Sequence, residues 1–119
     1  MDNAKTILLA EHDPFLINVY AKELRKLGYK TSVVSDGEIV LNRIRNIEPD
    51  LMIMDASFLP ALKSLREDIM LKDLKVVMLH NVSHPKHAEK FFRFGVETHF
   101  SKSENTAEEI VNEVKRILS

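Results

Sequence analysis

Three short strand-like segments in this sequence stop at residues able to do chemistry. Leu51-Met52-Ile53-Met54 ends in Asp55, Thr6-Ile7-Leu8-Leu9-Ala10 ends in Glu11-His12-Asp13, and His99-Phe100-Ser101 ends in Lys102. Pro49 precedes the first run, and four apolar residues in a row read as a strand buried on both faces of a parallel sheet. Asp55 then sits at the carboxyl end of a strand, the edge of an open α/β sheet where ligands bind. Two or three acids and a lysine gathered on that edge read as a built site. The plainer alternative makes Asp55 a loop acid capping the next turn and Lys102 a surface lysine.

The elements that must position these residues alternate regularly. A strand from Thr6 to Ala10 leads to a helix opened by Asp13 as N-cap and Pro14 in the first turn. Leu16, Ile17, Tyr20, Leu24 and Leu27 recur at helical spacing before Gly28 stops it. Lys30 to Val34 reads as a second strand. Ser35-Asp36-Gly37 turns into a helix with Val40, Leu41, Ile44 and Ile47, ended by Pro49. After the strand Leu51 to Met54, a shorter helix from Pro60 to about Met70 carries Leu62, Leu65 and Ile69. Lys75 to Leu79 is the fourth strand, and His84-Pro85 begins a helix that reaches Phe94 and closes at Gly95. Thr98 to Ser101 is the fifth strand. Asn105-Thr106 caps a last helix with Ile110, Val111, Val114, Ile117 and Leu118 on one side. Such alternation predicts one α/β domain over residues 1–119, a parallel sheet with helices on both faces.

Composition narrows the classes. The 119 residues can bury one sizeable core, and 45% hydrophobic with 29% charged residues is ordinary for a globular domain. A net charge of −1 gives no general pull toward nucleic acid or an anionic membrane. There is no cysteine, hence no disulfide or thiol chemistry. No apolar stretch nears the roughly 18 to 20 residues that span a bilayer, and Met1-Asp2-Asn3-Ala4-Lys5 has no signal-peptide core. The expectation is a cytoplasmic domain without direct nucleic-acid or membrane binding.

The ordered pieces Ile7-Leu8-Leu9-Ala10-Glu11-His12-Asp13-Pro14, Pro49 through Asp55 with Pro60 beyond, Val76-Val77-Met78-Leu79, and Gly95 through Lys102 resemble the receiver domain of two-component response regulators. The resemblance covers nearly the whole chain. It implies a flavodoxin-like (βα)5 fold with strand order 2-1-3-4-5, and a signalling module rather than an enzyme. It implies Asp55 as phosphoacceptor from a histidine kinase or phosphotransfer protein, and Lys102 pairing with Asp55 and then with phosphoryl oxygens. It places Glu11, His12, Asp55 and a backbone carbonyl at Ser57 around a Mg²⁺ ion. Output would pass through protein contacts or a homodimer by the fourth and fifth helices and the fifth strand. Phosphoryl transfer to a carboxylate is mostly positioning and charge neutralisation.

The sequence departs from that pattern. His12 replaces the second acid of the pair, and imidazole is a poor ligand for a hard cation. The charges of Glu11, Asp55 and Lys102 sum to −1, so Mg²⁺ affinity should be weakened. Asp13 could substitute only if its loop shifts. His80 replaces the small hydroxyl after the fourth strand and could donate to a phosphoryl oxygen or cap the pocket. Ser103 replaces a proline after Lys102, and the connection from Asp55 to His80 is shorter than in the family pattern. A different reading makes Glu11, His12, Asp55 and His80 a site for a borderline metal such as Zn²⁺. A flavin-binding flavodoxin is disfavoured, because Glu11-His12-Asp13-Pro14 is acidic and offers no glycine or hydroxyl cradle for phosphate.

His99 aligns with an aromatic residue that swings on activation in the family, and reads here as a half-exposed packing histidine. His84 and His87 read as solvated, and the methionines as core filler. Phe91, Phe92 and Phe94 cannot all face the core on a helical period, so at least one should be exposed as a candidate partner contact.

Overall fold

The computed structural model describes residues 4–81 and 85–119. Five strands, β1 (Thr6–Ala10), β2 (Lys30–Val34), β3 (Leu51–Asp55), β4 (Lys75–His80) and β5 (Thr98–Ser101), alternate with five helices. These are α1 (Pro14–Lys26), α2 (Val40–Ile47), α3 (Leu59–Glu67), α4 (Pro85–Arg93) and α5 (Ala107–Leu118). All pairings are parallel, in the order β2-β1-β3-β4-β5. The parallel sheet is the one expected from the alternation, and its order is the flavodoxin-like one that the resemblance implies.

The period of two along the central strands divides the core into two layers. Leu8, Ala10, Met52, Met54, Val76 and Met78 face Val40 and Ile44 of α2, Leu62 and Leu65 of α3, and Phe91 of α4. Ile7, Leu9, Leu51, Ile53, Val77 and Leu79 face Tyr20 and Leu24 of α1 and Ile110, Val111 and Val114 of α5. Leu51 through Met54 are fully buried, so the run that ends in Asp55 is fixed on both faces. Each such side chain contributes about 1.5–3 kcal/mol of burial.

Local chemistry sets the boundaries. Asp13 caps α1 by accepting from the Phe15 amide, with Pro14 at the first turn. Gly28, at φ +88°, supplies the left-handed step into β2. Thr106 and Glu109 form a reciprocal capping box on α5. The bounds of α2 and α3 differ in detail from expectation. A 3-10 turn, Gly37–Ile39, precedes α2, and Glu48 in the left-handed conformation ends that helix before Pro49. A second 3-10 turn, Ala56–Phe58, leads into α3, which stops at Glu67 rather than near Met70. Asp68 ends it by accepting from the Met70 amide and from Arg45 of α2, leaving Ile69 and Met70 81% and 85% exposed. Met52, Met54 and Met78 are core residues, whereas Met70 is not. Met1 and His84 lie outside the described residues, as does the side chain of His87.

Arg66 ties the far end of α3 to α4. Its guanidinium donates to the carbonyls of Lys72, Leu74, Phe94 and Gly95, at 2.6–3.1 Å. These carbonyls belong to the α3–β4 connection and to the C-terminus of α4, where orphan acceptors need donors. Arg66→Ala should lower unfolding free energy by about 2–3 kcal/mol in urea titrations. Arg66→Lys should recover less than half of that loss, because a single ammonium cannot serve the same fork.

Candidate functional site

Strand register brings the three predicted strand ends together. Ala10 lies opposite Met54, so Glu11 emerges beside Asp55; His80 lies opposite Ser101, so Lys102 emerges one strand further on. From β5 to β3 is two strand spacings, about 10 Å, which calls for a long side chain. Lys102 spans it. Its Nζ lies 2.6 Å from Asp55 Oδ1 and 2.6 Å from Glu11 Oε2. The triad is withdrawn from water, with side-chain exposures of 8% for Lys102, 3% for Glu11 and 13% for Asp55.

The remaining oxygens are also occupied. Glu11 Oε1 accepts from the amides of His12 and Asp13 at 3.0 and 3.2 Å. Asp55 Oδ2 accepts from the Ser57 amide at 3.0 Å and from the Ser57 hydroxyl at 2.5 Å. Asp55 therefore has two separate contacts. It caps the Ala56–Phe58 turn with one oxygen and holds the pocket lysine with the other.

Burial alone would raise the Asp55 pKa, but hydrogen bonds from Lys102 and Ser57 and the Lys102 charge outweigh it and hold the carboxyl below its ordinary range. For Lys102, burial works to lower the pKa, and the bonds and charges of Asp55 and Glu11 outweigh it and raise it. The buried Tyr20 hydroxyl is pushed up, first by burial, with the Lys102 charge acting against that.

The predicted histidines do not join this cluster. The His12 ring lies flat on Phe58, with centroids 4.4 Å apart and planes 12° from parallel. His80 turns its Nε2 to His99 Nδ1 at 2.8 Å. Among the described residues, no three His, Asp or Glu side chains converge as metal ligands. The His12–His80–Glu11–Asp55 zinc site is thus not assembled, because each ring is committed elsewhere. Asp13 spends its carboxylate on the α1 cap, and the Ser57 amide and hydroxyl face Asp55 as donors.

The same facts test the fit to Mg²⁺. That ion needs oxygen ligands in near-octahedral array, usually including one or two carboxylates and several waters. Here the two inward carboxylate oxygens, Glu11 Oε2 and Asp55 Oδ1, are bridged by an ammonium, and the third acidic position holds a ring stacked on Phe58. As arranged, Lys102 competes with such an ion for both inward carboxylate oxygens.

His80, His99, Phe91 and Phe92 form a ring cluster running from the pocket edge to α4. The centroid of Phe91 is 5.5 Å from that of His80 and 6.0 Å from that of His99, and Phe92 meets His99 edge-on at 5.4 Å. Phe91 is buried and Phe92 is 53% exposed, as the helical period required of one phenylalanine. The His80–His99 bond and the His12–Phe58 stack escaped sequence reasoning. Register could have hinted at the first, since Met78 pairs with His99 and His80 is two residues on, on the same face.

The pH sign follows from the triad. Asp55, with a lowered folded pKa, contributes stability that is complete above its unfolded value near 3.8 and is lost as pH falls through the folded value. Lys102, with a raised folded pKa, contributes stability complete below its unfolded value near 10.5 and lost as pH rises through the folded value. The triad is fully stabilising between those limits. Lys102→Met leaves two buried carboxylates facing each other and should cost about 3–5 kcal/mol at neutral pH. In urea titrations, the gap between wild type and variant should narrow steadily toward pH 4, as the unpaired acids take up protons. An unchanging gap would rule out this coupling.

The family model for the response regulator receiver domain matches residues 7–115. A structure described as a response regulator from Chloroflexus aurantiacus is similar at 25% identity, with a TM-score of 0.88 and 98% of each chain covered. The chemotaxis response regulator CheY4 of Vibrio cholerae shares the fold at 17% identity and a TM-score of 0.87, over 97% of this chain and 99% of its own. The DNA-binding response regulator MtrA of Mycolicibacterium smegmatis is 37% identical over 49 residues, 41% of this chain. The matched stretch is 22% of the length of that relative. Among the described residues, no helix is long and apolar enough to cross a membrane. With a receiver model matched from β1 into α5, and the fold and strand-end triad in place, the chain belongs to the response regulator receiver domain family of two-component signalling.

Proposed function

We propose that this is a receiver of atypical pocket. Asp55 stands at the phosphoacceptor position, and the pocket charge is offset in part from within by Lys102 rather than by a divalent cation. The single observation that carries this reading is the position of the Lys102 ammonium, 2.6 Å from both carboxylates. His12, at the position of a metal-binding acid, is engaged with Phe58 instead. Unassisted, a phosphoryl donor approaching Asp55 meets two carboxylates against one ammonium, a net charge of −1. Transfer from a histidine kinase or phosphotransfer protein is then slow, and Mg²⁺ binds weakly. Residues 1–119 act as one receiver unit, and output passes through protein contact at α4, β5 and α5, where Phe92 supplies exposed apolar surface.

The second reading, a working phosphoacceptor with His80 replacing the hydroxyl and Asp13 or water completing the metal shell, is less well supported because Asp13 already caps α1 and the His80 ring bonds to His99. Incubation with acetyl phosphate and Mg²⁺, followed by intact mass measurement, separates the two. The proposal expects little or no phosphoryl adduct on wild type. It expects an adduct after His12→Asp that disappears when Asp55→Asn is added. Calorimetric Mg²⁺ affinity should rise about tenfold or more in His12→Asp, since ligand charge count governs such sites. A full adduct on wild type, lost in Asp55→Asn, would favour the second reading.

A further inference from the structure

We infer that His80 and His99 form a proton-sharing pair whose charge state sets the packing of the α4–β5 face. The pair joins two places with different duties. His80 ends β4 beside the pocket, and its carbonyl accepts from the backbone amide of Lys102 at 2.8 Å. His99 lies half-buried on β5 against Phe91 and Phe92. Their facing nitrogens, His80 Nε2 and His99 Nδ1, are 2.8 Å apart, which requires one proton between them: one ring donates and the other accepts.

Proton uptake by such a pair has two distinct steps. A first added proton goes to an outer nitrogen of the donating ring. The bond survives and becomes charge-assisted. A second proton must go to the accepting nitrogen, so that two N–H groups face each other and the rings must part. His80 is nearly enclosed and held by the sheet, whereas His99 is only half-buried. The movement therefore falls on His99, and through its edge contact on Phe92, whose ring is part of the exposed α4 surface.

Among the described side chains, the charged groups on the elements around the pair include Asp55 from β3, Lys102 after β5, which is paired with Asp55 and Glu11, and Glu89, Lys90 and Arg93 from α4. Imidazole titrates in the physiological range, so ordinary changes in acidity reach this device. The regulatory consequence rests on α4–β5 being the output face; the pair itself does not.

Imidazole-resolved NMR of the full chain, between about pH 8 and about pH 5, tests the pair without phosphate or Mg²⁺. The His80 and His99 signals should move together in two steps separated by more than about one pH unit. The ring resonances of Phe91 and Phe92 should follow the second step. In His99→Phe, confirmed folded by its thermal transition, His80 should show a single step and Phe92 should stop responding. The wild-type titration alone can overturn the inference. It fails if His80 and His99 titrate independently, each in one step, or if the Phe91 and Phe92 rings stay unchanged while they titrate. Because no phosphoryl donor is present, that failure would be distinct from a failure of the atypical-pocket reading.

Discussion

A single ammonium group holds the functional edge of this protein together. Lys102 Nζ sits between Glu11 and Asp55, and those three residues come from three different strand ends. Two carboxylates withdrawn from water and placed side by side repel each other and resist burial. The lysine makes their proximity tolerable, and the amides of residues 12, 13 and 57 complete the shell. The loops after β1 and β3 are shaped by that need for donors. The parallel sheet supplies the rest, since only its register places these ends on one edge.

The same edge illustrates how one substitution redistributes roles. With histidine at position 12, an aromatic stack on Phe58 replaces a potential ligand bond. With histidine at position 80, a ring–ring hydrogen bond joins the end of β4 to β5. Both changes turn residues away from the pocket centre and toward neighbouring aromatic surface. At its far end α4 is secured by Arg66, and on the sheet side it packs through Phe91 on the two histidines. The helix that carries the exposed Phe92 is thus held by one guanidinium and one ring cluster. Neither belongs to the Lys102 triad.

Much of the fold was legible in the chain. The unbroken apolar run Leu51 to Met54 could only be a strand covered on both sides, and Asp13-Pro14, Gly28 and Thr106 announced helix ends through chemistry local to them. The end of α3 was not legible. Ile69 continues the helical period, but Asp68 is captured by Arg45 from α2, twenty-three residues earlier, and the chain turns out. Glu11, Asp55 and Lys102 could be singled out because each stands at the end of a strand-like segment. What His12 and His80 would touch could not, because a ring on a loop has several neighbours within reach and only packing selects one.

Sequence alone therefore determined the element order, the burial of β3 and the gathering of two acids and a lysine on one edge. These follow from the periodicity of apolar residues and from the rule that parallel strands expose their carboxyl ends together. Tertiary structure decided that the lysine bridges both acids and that the histidines pair with Phe58 and with each other. The physical reason is range. Hydrogen bonds and ring contacts act over 3–5 Å, and their partners here lie 19 to 91 residues apart in sequence, where only the register of the sheet and the packing of its helices can bring them together.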